Sequence, residues 1–487
     1  MTVPRLSQPR SERTPRQVFV VFVGLCVGMM LSAIDATIVA TALPSIVRDL
    51  DGESHLSWVA TAYLLFLMAS TPLYGKLGDL YGRKRIFQVA ILIFLTGSVL
   101  AGLSRDMGQL IACRAIQGMG AGGLASLAMA ITADIVAARD RGRFLGYQGL
   151  MFSVASIGGP FVGGVVVDHL SWRWVFYVNV PVGLVALVIV SGNLHVAYRR
   201  VPHAVDYAGA ALLVGCVTSL VLVTSLGGDE VAWGSPLIVS LGVLVPVLLA
   251  AFIARERRAP EPVLPLRLLR NPILAVAAIV NGLSALLFFA AVYFLPVFFQ
   301  QVKGVSPTRS GVLLIPFMLG TVVGTISSGR AVTRTGRYKS FPVAGGAVMV
   351  VGVLLLASAG TRTSIATVGV YAAILGIGIG LVLQVLLLAA QNAVPPGDLG
   401  TATSTVIFAR ALSGAVGLAI FGTILTNRLA FHRTRVGEAA AYAQSLQVVF
   451  LAALPVALTA LVVTLFLREI PLHDAAHLGP AATPVAP

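Results

Sequence analysis

The chain has 487 residues, of which 57% are hydrophobic and 11% charged, with a mean hydropathy of +0.91 and a formal net charge of +15. This composition excludes a soluble globular domain and places the chain in a bilayer. The basic residues are divided among loops separated by apolar runs, so the positive balance reports membrane topology and excludes a nucleic-acid interface.

Crossing about 30 Å of hydrocarbon at about 1.5 Å per residue takes roughly 20 apolar residues. Fourteen such runs begin near Val18, Leu56, Ile86, Met107, Phe144, Trp174, Tyr207, Pro236, Pro272, Ser310, Phe341, Ser364, Leu399 and Leu446. Each must be helical, because lipid offers no partner to an unpaired amide. The first run, Val18 to Leu43, is too long for a signal-peptide core and is expected to stay in the mature protein. Most Lys and Arg fall on one side when the N-terminus is placed inside, which predicts cytoplasmic termini. Trp58, Trp172, Trp174 and Trp233 then sit near outer helix ends, where amphipathic rings favour the interface. Cys26, Cys113 and Cys216 lie within predicted helices and read as small packers; neither a disulfide framework nor a metal site is suggested, and no cofactor is expected.

Along the chain, the first helix carries Asp35 alone as a carboxylate inside its apolar run, and an acid there is a functional candidate by default. The loop after helix two reads GKLGDLYGRKR from Gly75, helix four contains RAIQGMGAGG from Arg114, and helix five contains GGPFVGG from Gly158. The second half echoes the first: GRAVTRTGRYK from Gly329 aligns Gly329 with Gly75, Gly336 with Gly82 and Arg337 with Arg83, and GIGIG at Gly376 answers GMGAG at Gly118. A duplicated chain follows, in a 6+2+6 plan. A tail (1–16) precedes a first six-helix bundle (17–194). A linker (195–271) holds two additional helices at about 206–226 and 236–256. A second six-helix bundle (272–468) and a tail (469–487) complete the chain.

The GKLGDLYGRKR loop resembles the signature between helices two and three of the major facilitator superfamily. With LSAIDATIVATALP, RAIQGMGAGG, GGPFVGG and WRWVFYVNVPVG, the chain is similar over nearly its whole length to the drug:proton antiporter family with fourteen helices. The resemblance implies an all-α integral membrane fold, with two pseudo-symmetric six-helix bundles and two extra central helices, working by alternating access as a proton-coupled exporter of amphipathic drugs. It implies protons, a small amphipathic substrate and the bilayer as partners, a monomer, and residence in the cell membrane.

Counting residues from the outer helix ends puts Asp35 and Arg114 at depths of about 12 Å and 9 Å, which permits a pair. Two readings stay open: a titrating site that couples protons, or a salt bridge that only holds helices together. By resemblance, Gly75, Asp79, Gly82 and Arg83 form a latch with Asp134, with Asp79 meeting the N-terminus of helix thirteen near Leu399. Thr333 stands where Asp79 would be in the second half, so the latch is one-sided. In GGPFVGG, Pro160 removes a backbone donor and Gly158, Gly159, Gly163 and Gly164 let another helix approach; in the family the motif marks exporters. Here Ala155 replaces a glycine usual in that pattern. Cavity candidates are Gln117, Arg410, Asn281, Gln384, Tyr293 and Phe294; the competing role is packing for the aromatic residues, bonding between helices for Asn281 and Gln384, and snorkelling or bonding of backbone carbonyls for Arg410. No nucleophile and base cluster points to an enzyme. The alternatives within the same fold are a dedicated metabolite exporter and a proton-coupled nutrient importer.

Overall fold

The computed structural model describes residues 15–50, 56–136, 138–194, 206–227, 231–259, 262–264, 266–305, 307–433 and 437–472. The N-terminal tail as far as residue 14, Arg199 and Arg200, and the final residues from 473 onward lie outside that set. The first bundle contains α1 (Pro15–Leu50), α2 (Leu56–Tyr81), α3 (Arg83–Leu103), α4 (Met107–Ile135), α5 (Ala138–His169) and α6 (Asn179–Asn193). Between the bundles lie α7 (Tyr207–Leu226) and α8 (Pro236–Glu256). The second bundle contains α9 (Pro272–Val297), α10 (Ile315–Thr335), α11 (Ser340–Ala357), α12 (Ile365–Asn392), α13 (Leu399–Arg433) and α14 (Glu438–Leu465). Among the described residues, 11 helices are long and apolar enough to cross a membrane. A shorter apolar stretch, Ala208–Val223, lies in α7, and α5 and α13 occupy the two remaining predicted positions.

Several helices overshoot the runs that predict them. α1 continues to Leu50 rather than stopping near Leu43, α5 begins at Ala138 rather than Phe144, and α14 begins at Glu438 rather than Leu446. An apolar run measures hydrocarbon thickness, whereas a helix continues into water for as long as its amides stay paired. The sixth span is broken into a turn, Trp174–Tyr177, and α6. Pro181 has no N–H to offer the Tyr177 carbonyl, which accounts for the break.

Side chains begin the helices where the sequence supplies N-caps. Asp106 accepts from Gln109 N at 2.8 Å to start α4, Ser364 accepts from Thr367 N at 3.1 Å to start α12, and Asn271 accepts from Ile273 N at 2.9 Å, with Pro272 following. The duplicated loops turn on equivalent glycines. Gly82 has φ 92° and Gly336 has φ 70°, a region that favours a residue without a β-carbon.

Helices in lipid gain little from apolar contact with one another, so close approach depends on small residues. A β-carbon on Gly118 of α4 would collide with the Tyr63 carbonyl oxygen of α2, and one on Gly120 would collide with the Phe94 amide of α3. In the second bundle Gly376 and Gly380 of α12 bear in the same way on the Phe317 and Thr321 carbonyls of α10. The paired GMGAG and GIGIG segments thus perform one packing task in two halves. Gly118→Leu is expected to cost more than 3 kcal/mol, because backbone rather than a movable side chain fills the space, and to reduce the folded fraction in fluorescence-detected size exclusion. Gly192→Leu, with nothing within 4 Å of the added carbon, should elute as wild type.

The bundles meet near the end that carries the basic loops, called here the basic end. α5 lies along α10 and α12, and α2 lies along α13. Gly146 faces the backbone of Thr325 and Ile326, a β-carbon on Gly149 would sit 3.5 Å from Gln384 Nε2, and Gln391 Nε2 donates to the Met129 carbonyl at 3.5 Å. The inserted pair α7 and α8 sits against the α2–α13 seam. Leu213, Val217 and Val221 of α7 and Phe252 of α8 form one buried cluster with Leu65 and Met68 of α2 and Phe408 of α13.

Candidate functional site

Asp35 is fully buried, and α1 places it where α3, α4 and α6 converge. Arg114 of α4 donates from Nη1 to Asp35 Oδ2 at 2.5 Å and to Gln117 Oε1 at 2.7 Å, while its Nε reaches the Val59 carbonyl at 3.3 Å. The guanidinium also lies over the Tyr63 ring, 4.1 Å from its centre, and Tyr63 OH donates to the Ser32 carbonyl at 3.2 Å. The other carboxylate oxygen, Oδ1, accepts from Gln117 Nε2 at 2.8 Å and from Asn179 Nδ2 at 3.0 Å. Both amides donate their second hydrogen to Ser98 Oγ, at 3.1 Å and 3.0 Å, and Ser98 donates onward to the Phe176 carbonyl at 2.8 Å. The result is a buried charge pair whose polar neighbours are hydrogen-bonded to it or to one another, the condition under which burying two charges is tolerable.

Of this network, the sequence singled out Asp35, Arg114 and Gln117. Ser98, Tyr63 and Asn179 were missed. Asn179 lies in WRWVFYVNVPVG, and a lone amide one residue after a helix break and two before a proline was the available signal.

At the basic end, Asp79 accepts from the amides of Gly400 at 3.1 Å and Thr401 at 2.8 Å, and from the Thr401 hydroxyl at 2.8 Å. A carboxylate of the first bundle thereby caps α13 of the second, where the helix dipole favours an anion. Arg83 joins this group, donating to Asp79 from Nε at 3.1 Å and Nη2 at 2.6 Å, and forming a second ion pair with Asp134. Gly75 allows the approach, since a β-carbon there would strike Ser404 and the Gly400 carbonyl. In the second half, the Thr333 hydroxyl donates to Gly329 O at 3.0 Å within its own helix. The loop is tied to its own bundle by Glu469, which accepts from Tyr338 N at 2.8 Å and Lys339 N at 3.3 Å. Arg267 bonds Asp398, just before α13, at 2.9 Å, which joins the linker to the same corner.

In GGPFVGG, Gly159 packs tightly on α1, facing Thr37 and the Ile34 carbonyl, and Gly163 is buried; Pro160 and Gly164 lie in the same helix. Gly158 has nothing within 4 Å, so the close approach expected of it does not occur. It points away from the helix face that carries Gly159. The cavity candidates divide as well. Gln117, Asn281, Gln384 and Phe294 are buried between helices rather than open to a cavity, with Phe294 packed edge-on against Phe421. Tyr293 is half exposed, and Arg410 is partly buried with Cζ 6.0 Å from the centre of the Phe288 ring. At the opposite end Asp49 accepts from Trp172 Nε1 at 2.8 Å and Arg173 Nη1 at 2.9 Å, and these hydrogen bonds hold its carboxyl below the ordinary carboxylate range. That contact fastens the end of α1 to the segment leading into α6.

The sequence profile of the Major Facilitator Superfamily matches residues 25–418. An uncharacterised major facilitator-type transporter of Mycobacterium tuberculosis is 38% identical over 481 residues, covering 93% of this chain and 70% of the relative. The multidrug transporter protein MdtP of Bacillus subtilis is 36% identical over 405 residues, covering 83% of this chain and 75% of the relative. Among solved structures, the human organic anion transporter MFSD10 superposes with a TM-score of 0.65 at 17% identity, over 91% of this chain and 100% of that one, a likeness of fold.

Proposed function

Because this chain belongs to the major facilitator superfamily, and is thus a multi-pass membrane transporter, we propose that it exports amphipathic small molecules across the cytoplasmic membrane in exchange for protons, by alternating access. The basic end is then cytoplasmic, with both termini inside, in keeping with the excess of Lys and Arg in the loops there. The conformer described is held closed at that end by the hydrogen bonds from Gly400 and Thr401 to Asp79.

The observation that carries the reading is the buried Asp35 network. A carboxylate couples proton movement to transport only if its surroundings change between conformers. Asp35 draws its donors from two helices beyond its own, so a shift of α4 or α6 relative to α1 changes them directly. The kinship with a named multidrug transporter supports the substrate class.

The test is a growth-inhibition panel in a pump-deficient host, with and without a proton uncoupler. Expression is expected to raise the inhibitory concentrations of several chemically unrelated amphipathic compounds, and the uncoupler to remove the difference. Protection that survives the uncoupler sinks the proton-coupled reading. Protection confined to one metabolite indicates a dedicated exporter.

A further inference from the structure

Among the described residues, Asn179 is the donor to the Asp35 carboxylate that neither α1 nor α4 supplies, and we propose that it is a positioning residue that sets how tightly Asp35 binds a proton. The inference rests on the reading of Asp35 as the coupling carboxylate.

Geometry separates the two amides that serve Asp35 Oδ1. Gln117 lies three residues from Arg114 on α4, and its Oε1 accepts from that arginine, so it moves with Arg114 as one unit. Asn179 is the first residue of α6, just past the break at Val178, with Pro181 two residues on. It is therefore mounted on a different helix and at a discontinuity. Its Nδ2 divides between Asp35 Oδ1 and Ser98 Oγ, both at 3.0 Å, and is 2% exposed as a residue, so water does not replace it in this conformer.

The chemistry follows from counting hydrogens. An ionised carboxylate accepts all three donors from Arg114, Gln117 and Asn179. A proton arriving at Oδ1 brings a donor of its own to an oxygen already facing two N–H groups, and one of them has to withdraw. Gln117 is held by Arg114; Asn179 is held by Ser98, whose oxygen accepts both amides and can keep Gln117 alone. Asn179 is the donor that leaves, and its departure moves the start of α6, which joins proton binding to a helix displacement. Among the described residues, the charged and titratable groups facing Asp35 are Arg114 from α4 and the Tyr63 hydroxyl from α2; α3 and α6 present only Ser98 and Asn179.

The experiment is an infrared titration of the purified full-length protein, with protons as the only ligand and the Asp35 carboxyl band isolated by subtracting an Asp35→Asn spectrum. In Asn179→Leu the proton concentration at half-protonation is expected to fall about tenfold, the effect of losing one hydrogen bond to a charged group. Asn179→Ala, which removes the amide without added bulk, should shift it in the same direction and serves if the Leu variant does not fold. An unchanged titration in whichever variant folds overturns the inference. The underlying reading fails separately, by Asp35→Asn retaining proton-driven transport.

Discussion

Replacing Asp35 by Asn is expected to abolish transport driven by a pH gradient while leaving membrane insertion and substrate-for-substrate counterflow in place. Asn keeps the shape and one acceptor oxygen but neither gains nor loses a proton. It also leaves Arg114, which is 2% exposed, without its counter-charge, a loss of order 3–5 kcal/mol when one partner of a buried pair is removed. Membrane abundance and melting temperature must therefore be measured beside transport. The two readings of the ion pair separate in this experiment. A coupling site gives normal abundance, retained counterflow and no response to an imposed gradient in proteoliposomes. A purely structural bridge gives a lower melting temperature with gradient-driven transport still present in the protein that remains.

Replacing Asp79 by Asn should loosen the seal at the basic end without altering proton dependence. Asp79 receives five hydrogen bonds, two from Arg83, two from the first amides of α13 and one from the Thr401 hydroxyl, and side-chain exposure of 6% leaves water little access. Removing the charge costs of the order of 2–5 kcal/mol in the sealed conformer, where these bonds are made, and little once the bundles part. The equilibrium moves toward opening at the basic end by tenfold or more. Ser404→Cys reports this, because Ser404 is fully buried at the seam against Gly75. With Cys26, Cys113 and Cys216 replaced by Ser, a membrane-impermeant thiol reagent supplied at the face that carries the basic loops should label Ser404→Cys faster in the Asp79→Asn background. Turnover should fall severalfold, since resealing becomes the slow step. A changed proton stoichiometry would contradict a latch, because nothing in the Asp79 contacts reaches Asp35.

The inserted helices gain a position. α7 and α8 lean on the seam where α2 and α13 meet, and their linker bonds Asp398 beside the N-terminus of α13. Only 11% of the apolar window of α8 is buried, so most of the contact comes from α7, with Phe252 of α8 joining it.

Most of the fold was legible in the sequence because its causes are local. An apolar run long enough to span a bilayer must be a helix, a glycine such as Gly82 or Gly336 marks a turn that other residues resist, and the two echoes betray duplication. Depth along a helix is also local, at about 1.5 Å per residue, and this brings Asp35 and Arg114 to one level. Rotation about the helix axis is not local. These helices are apolar on all sides, so no polar stripe in the sequence says which face meets which neighbour. Only tertiary structure could turn Asn179 and Ser98 toward Asp35, seat Gly159 against α1 while leaving Gly158 open, and bury Asn281 and Phe294 between helices. The sequence determined a membrane-spanning, duplicated helical protein with one acid deep in its first bundle, and packing alone decided which groups surround that acid.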